Sequence, residues 1–507
     1  MKKIDLGVVV TTLIIVTISC SLAFFAARVV GEPKDINLVA KNVAITFNDT
    51  SIIANGVVSP GWNTTKTFTI TNNSKEEYKY NISIKDLVNT FVTNGYLKYK
   101  ITSTNGYNMT EFKDIPKSSA PKDTILAYSV SIPVGVTQSY TIEFKYANDE
   151  SVDQSDDMGR KLSGTLFITE GTEEPVTLLS QILNDNPTRS TRSNNNNGTN
   201  DFATPLTATT TGTLFTSTES ITGITDSPKE VYYYAGNTTN NWVKFAGFYW
   251  RIIRTNHDSS IRLLYVGTSP DTTSGNIGDS AFNSSYNSPK YVGYKYGEDT
   301  SLDTIRNNTT DSTIKTTIDT WYKNSLKNYT KYLSTSAVYC NDRSLGTGQT
   351  YSASSNFNFA SYYRMDYDTK GAKANPSYNC TDIRDAFSVD NTSAKLDYPV
   401  SLMTADEIAF AGGVAFKTMN NPYAWFINNS AGTQVSSYWW SLSPSYLYGS
   451  GSRVWLWFPI DVYLYRERVD GAGAVRPAIS LKSCTLYNTG DGSATNPYTI
   501  LETESGC

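Results

Sequence analysis

From residue 453 to residue 465 the chain alternates strictly. Val454, Leu456, Phe458, Ile460, Val462 and Leu464 fall on even positions, and Arg453, Trp455, Trp457, Asp461, Tyr463 and Tyr465 on odd ones. Period two is the signature of a strand with one face in a core and the other outward. With the even face as core, the odd face shows aromatic rings and charge to solvent, and Trp, Tyr and Arg are the side chains that dominate binding hot spots. Arg466, Glu467 and Arg468 extend this face, and Tyr446 and Tyr448 rim it. The chemistry expected here is recognition of a ligand. The competing reading buries Trp455 and Trp457 beneath the long loops of their domain.

Catalytic arrangements are scarce. The chain has 507 residues and one histidine, which removes most of the usual general bases and transition-metal ligands. His257 lies in a polar turn, 255–259, between two apolar strands, where a solvated side chain is expected. Forty-seven acidic residues leave glycoside hydrolysis open by count, but nothing singles out a pair. Asp366-Tyr367-Asp368-Thr369-Lys370-Gly371 imitates the start of a calcium loop, with Lys370 at a ligand position and Ser377 where a bidentate Glu belongs, so a turn is expected. The acidic patch Asp149, Glu150, Asp153, Asp156 and Asp157 reads as a solvated loop, with weak calcium binding as its rival. Gly449 and Gly451 do not follow a strand-to-helix phosphate pattern. No catalytic residue, metal site or cofactor is assigned. Net charge is −4 and the sequence pI about 5.4, far from the basic values of nucleic-acid binders, so no nucleic-acid partner is expected.

Cys340, Cys380, Cys484 and Cys507 read as two disulfides, with Cys20 left over in an apolar leader. Of three pairings, Cys340–Cys380 and Cys484–Cys507 keep each bridge within one local segment. Their loops correspond to about 4 and about 3.5 kcal/mol of chain-entropy stabilisation.

The elements around these residues divide the chain into four. Lys2 and Lys3 precede an uncharged stretch, 6–27, long enough to cross a bilayer with the remainder outside. Residues 1–30 therefore form a transmembrane or signal helix; Ser21-Leu22-Ala23 offers a cleavage site, whereas Thr17-Ile18-Ser19-Cys20 is a poor lipoprotein box. Residues 35–171 alternate in short strands, such as Phe68 and Ile70, and Tyr140, Ile142, Phe144 and Tyr146. These predict an all-β sandwich, jelly-roll or immunoglobulin-like, of about seven or eight strands. Residues 172–228, rich in Thr, Ser and Asn with LLSQIL at 178–183 as the one short helical pattern, read as a flexible spacer. Residues 229–507 form an α+β domain. Its expected helices carry Ile314, Ile318, Trp321 and Tyr322 at helical spacing, and open at Thr404-Ala405-Asp406-Glu407 with a capping Thr.

Two resemblances follow from motifs. The apolar leader, VSPGWNTTKTFTITNNS, YTIEFKY, DQSDDMG and GTLFITEG resemble the TasA and camelysin family of secreted bacterial matrix proteins, which implies a jelly-roll-like module that assembles on cell surfaces. The order TWYKNSL, YCNDR, LMTADEIAFAGG, YWWSLSP, VRPAISLKS and GDGSATNPY resembles an uncharacterised bacterial extracellular domain. Its Trp-Trp and Val-Arg-Pro elements are similar to the C-type-lectin-like fold, which includes the formylglycine-generating enzymes. That resemblance implies an irregular, often sequence-diverse ligand face, and places Trp439 and Trp440 in the core. The closely spaced reactive thiols of formylglycine-generating enzymes have no counterpart, and the calcium-binding triplet of sugar-binding lectins is matched only by Asn421-Pro422. The expected function is a bacterial cell-surface or secreted binding protein, adhesin- or receptor-like, for a protein or glycan ligand. The alternatives are an extracellular enzyme of formylglycine-generating or glycosidase type and a structural matrix subunit.

Overall fold

The computed structural model describes residues 58–192, 202, 214–365, 375–416, 418, 424–435, 438–449, 451–503 and 506–507, and three strands by backbone alone, Arg28–Val29, Ile36–Ala40 and Val43–Asp49. The apolar segment 6–27 with Cys20, the Asn run 194–197, the turn 366–371 and Asn421-Pro422 lie outside the described residues. Among the described residues, no helix is long and apolar enough to cross a membrane. The chain divides into two units, residues 1–174 and 175–507.

The first unit is a β-sandwich. One sheet has the order Arg28–Val29, Leu162–Glu170, Tyr78–Asn89, Ser118–Ile132; the other runs Ile36–Ala40, Val43–Asp49, Asn63–Asn72, Thr137–Tyr146, Leu97–Ser103, Lys113–Asp114. Among the described residues nine of these ten strands lie within 35–171, above the expected seven or eight, and the tenth, Arg28–Val29, precedes that span. The predicted inward positions hold: Phe68, Ile70, Tyr140, Ile142, Phe144 and Tyr146 are all buried. Phe68 lies directly opposite Tyr140, and directly opposed residues share a face, so their rings stack with centroids 5.0 Å apart. The Tyr140 hydroxyl meets that of Tyr80 from the other sheet at 2.6 Å, and Tyr80 also donates to Gln138 Oε1 at 2.6 Å. That pairing gives two buried phenols their hydrogen bonds.

The acidic patch is not uniformly solvated. Asp157 is buried, and its carboxylate accepts from the backbone N–H of Val92 (2.5 Å) and Thr93 (3.2 Å) and from the Tyr146 hydroxyl (2.7 Å). Burial pushes this carboxyl up, but hydrogen bonds from Thr93 and Tyr146 hold it below the ordinary value. Asp157 pins a loop to the sandwich.

The second unit is mixed α and β. Its larger sheet has nine strands, ordered Arg189–Thr191, Leu214–Glu219, Lys229–Tyr234, Phe248–Thr255, Ile261–Gly267, Pro477–Leu481, Val400–Leu402, with Trp242–Phe245 joining Phe248–Thr255 to Tyr498–Thr499. A six-stranded sheet runs Asp279–Ala281, Ala472–Ala474, Trp439–Tyr448, Gly451–Phe458, Tyr463–Arg468, with Phe357–Asn358 added to Trp439–Tyr448. Helix Thr313–Ser325 buries Ile314, Ile318 and Tyr322, and Ser312 caps it by accepting from the Lys315 N–H.

The expected spacer 172–228 needs correction. Helix Leu178–Asp185 buries Leu178 and Ile182, and Leu214–Glu219 pairs along its whole length with Lys229–Tyr234. The helical pattern of 178–183 is borne out, whereas the Thr- and Ser-rich composition hid the strand, which contributes few apolar side chains and whose partner strand lies beyond the expected boundary. The second unit begins near residue 175, not 229.

Helix Ala405–Phe410 opens as expected. Thr404 Oγ1 accepts from the Glu407 N–H at 3.0 Å, and Glu407 Oε2 accepts from the Thr404 N–H at 2.9 Å. The other oxygen of Glu407 accepts from Arg254 Nε at 2.7 Å and Arg262 Nη1 at 2.5 Å. Arg254 also reaches Glu219 Oε1 at 2.8 Å. All four are buried, so one capping residue also supplies the charge that lets two arginines sit between sheet and helix.

Candidate functional site

The hairpin formed by Gly451–Phe458 and Tyr463–Arg468 decides which face of the alternating segment is which. Its register pairs Trp455 with Arg466, Leu456 with Tyr465, Trp457 with Leu464 and Phe458 with Tyr463. Each pair joins an odd to an even position. Parity therefore inverts across the turn, 459–462, where Val462 takes a left-handed backbone (φ 55°). Leu456, Phe458, Tyr463 and Tyr465 share one face; Trp455, Trp457 and Leu464 share the other.

This corrects the expected exposed odd face. Trp455 and Trp457 are 0% and 1% exposed. The Trp457 ring meets Phe426 edge-on at 4.9 Å, and Trp455 lies against Phe416 at 5.7 Å. Trp439 and Trp440 are buried as expected. Arg453, Tyr446, Tyr463, Tyr465, Arg466 and Glu467 are half-buried, and Asp461, Arg468 and Tyr448 exposed.

What the hairpin builds is a groove of about 290 Å³, lined by Tyr438, Leu456, Phe458, Tyr465 and Gly471 together with Arg453, Glu467, Arg468 and Asp470. Four of the expected face residues, Arg453, Tyr465, Glu467 and Arg468, line it. Leu456, expected only as core, contributes to its floor while remaining 1% exposed. Phe458 packs on Tyr438 at 6.3 Å and Tyr465 at 5.7 Å. Tyr438, Phe458, Asp470 and Gly471 were missed from sequence, although the turn between two alternating runs was the available signal for a parity change.

The charges of the groove are partly matched. Arg453 Nη1 lies 3.3 Å from Glu467 Oε1, and Arg468 binds Asp470 through Nε at 2.5 Å and Nη2 at 3.0 Å while its guanidinium covers the Tyr286 ring at 4.2 Å. Arg466 faces away, on the Trp455 side, stacked at 4.5 Å on both Tyr362 and Phe416. Burial raises the Tyr463 and Tyr446 hydroxyls above their ordinary value. Phenols, guanidinia and an apolar floor suit a partner with a ring or aliphatic surface edged by polar groups.

Other chemistry-bearing residues serve the fold. His257 is not solvated: its side chain is 8% exposed, with Nδ1 3.5 Å from Glu219 Oε2. Asp311, Asp319 and Asp397 bring carboxylate oxygens within 4.8 Å of one another, an arrangement able to hold a cation. Lys315 already supplies it, donating from Nζ to the three at 3.1, 2.6 and 2.6 Å. Both expected disulfides are present, Cys340–Cys380 and Cys484–Cys507, with Cα separations of 5.8 and 5.2 Å. They are compatible with an oxidising, extracellular compartment.

No family model and no curated protein matches the chain. A solved structure described as "AvmM Catalyzes Macrocyclization in Alchivemycin A Biosynthesis" aligns with 29% of this chain and 100% of its own at 12% identity, with a TM-score of 0.16, too low to carry any argument.

Proposed function

We propose that the chain is an extracellular binding protein of the bacterial cell surface, adhesin- or receptor-like, tethered or secreted through residues 6–27, whose second unit is a C-type-lectin-like domain that captures a protein or glycan ligand. The observation that carries this reading is the groove beside the hairpin, where Tyr438, Phe458 and Tyr465 are set among Arg453, Glu467, Arg468 and Asp470. Aromatic and Arg side chains gathered around a concavity are the composition of a binding hot spot. The first unit, a TasA- or camelysin-like sandwich, acts in this reading as the module that holds the binding domain at the surface.

The test is binding of the full chain to glycan and peptide arrays, followed by titration of whatever is captured. Saturable binding without turnover is expected. Tyr465→Ala and Arg468→Ala should each weaken it by about thirtyfold, the loss of about 2 kcal/mol typical of a hot-spot residue. Turnover of the captured compound, or binding indifferent to both substitutions, would reject this assignment.

A further inference from the structure

A second concavity of about 290 Å³ lies elsewhere in the second unit, lined by Asn237, Thr239, Trp242, Arg251, Trp425 and Ser493 among others. Its construction follows from the sheet. Trp242 and Arg251 are directly opposed on adjacent strands, so both project from the same face. The guanidinium lies over the Trp242 ring at 4.3 Å and near the Trp425 ring at 5.6 Å. Gly492, at φ +77°, allows the loop before Tyr498 to approach Asn240 so closely that a Cβ there would stand 2.3 Å from the Asn240 carbonyl oxygen. The Trp242 N–H donates to the Gly492 carbonyl at 2.8 Å, which fixes Ser493 at the cavity wall.

Arg251 is the unusual member. It is only 4% exposed, yet no carboxylate pairs with it among the described residues. Nε donates to Asn241 Oδ1 at 2.6 Å and Nη2 to the Thr238 carbonyl at 2.7 Å. Among the described residues, Nη1 has no hydrogen-bond acceptor. A second buried arginine, Arg476, is spent on the carbonyls of Tyr265 and Phe426 and adds to the positive field. Burial, with that repulsion, lowers Arg251 to about 9, so it remains cationic at neutral pH. Elsewhere in this unit, buried Arg254, Arg306 and Arg343 and half-buried Arg364 are each matched by carboxylates. A buried guanidinium held rigidly by neutral acceptors, with one corner unused beside a cavity, is arranged for an anion from outside.

We propose that this cavity binds a carboxylate-bearing sugar, an acidic monosaccharide unit such as a uronic acid. Arg251 takes the carboxylate, Asn237, Thr239 and Ser493 offer amide and hydroxyl groups for sugar hydroxyls, and the indole edges cover C–H surface. The volume lies at the lower end of small-molecule sites, about 300–1,000 Å³, which suits a single sugar unit. The site is separate from the hairpin groove, and neither proposal depends on the other.

The experiment is calorimetric titration of the full chain with D-glucuronate, D-glucose and inorganic phosphate. Glucuronate should bind saturably, with glucose at least tenfold weaker. Arg251→Met should abolish the glucuronate signal. Because that variant changes a buried residue, Thr239→Trp, at the exposed mouth, tests the cavity with the guanidinium intact and should also abolish it, while Arg468→Ala in the hairpin groove should leave it unchanged. Equal binding of glucose, binding of phosphate but not glucuronate, no binding of glucuronate, or binding that survives Thr239→Trp would each overturn the proposal.

Discussion

Trp457 and Phe426 meet edge to face, with ring centroids 4.9 Å apart and planes at 90°, inside the core of the second unit. The contact places the aromatic side of strand Gly451–Phe458 inward and leaves Leu456 and Phe458 to form the groove with Tyr465. Trp457→Ala should therefore cost about 3–5 kcal/mol, as for a buried large-to-small change. Trp457→Phe should cost much less, since the indole N–H has no partner among the described residues. Tyr448→Ala, at a residue 62% exposed, should stay within about 0.5 kcal/mol. Urea unfolding of the three variants checks the order, and a neutral Trp457→Ala would return the indole to the surface.

The boundary near residue 175 can be tested by expression. A fragment of 229–507 would lack Leu178, Ile182 and Leu214 from the core and Glu219 from Arg254. It should express poorly or melt well below a 175–507 fragment, because Arg254 would lose one of its two carboxylates in a buried setting. Equal melting temperatures would restore the spacer.

Acid should weaken the second unit in a defined window. Burial pushes Glu219 up, but Arg254, the His257 hydrogen bond and Arg262 outweigh it and hold the group at about 2, against an ordinary 4.5. Asp382, held by hydrogen bonds from Arg384 against the effect of burial, also lies at about 2. A carboxylate lowered by folding contributes stability that is complete above its unfolded value and lost as pH falls toward the folded one. The urea midpoint should be flat from pH 7 to 5 and decline from about 4.5 toward 2. Arg254→Met should be destabilised by about 3–5 kcal/mol at pH 7 and show a shallower acid decline. A midpoint that rises on acidification would contradict the network.

Lys315 balances three carboxylates from inside the fold. Replacing it with Met should destabilise the second unit by several kcal/mol, because buried Asp319 loses its cation and faces the two exposed carboxylates of Asp311 and Asp397 uncompensated. The deficit should narrow as calcium is added, since the three oxygens then have a cation again. Thermal melts with and without calcium decide it, and a calcium-independent deficit would show that the site cannot reopen for a metal.

Peptide mapping without reductant should recover Cys340 joined to Cys380 and Cys484 joined to Cys507. Replacing both members of the first pair with Ala should cost up to about 4 kcal/mol, the loop-entropy value for a span of 40 residues. A Cys340–Cys484 peptide would refute the pairing.

What the sequence determined by itself were properties set by near neighbours. The alternation of Phe68 and Ile70, and of Tyr140 to Tyr146, specified strands and their inward faces, because a pleated strand has a period of two whatever lies across from it. The Thr404 cap, the helical spacing of Ile314, Ile318 and Tyr322, and two bridges within local segments were legible for the same reason. Tertiary structure alone decided how separate runs met. Parity along one strand does not say how a turn hands it to the next, so Trp455 and Trp457 went to the core while Tyr463 and Tyr465 took the opposite face, where Tyr465 lines the groove. Nor does composition reveal that Leu214–Glu219 completes a sheet and delivers Glu219 to Arg254, or that Arg251 is buried with no acid paired to it among the described residues. Charge pairing depends on side chains brought together from distant parts of the chain, and only the fold makes those distances short.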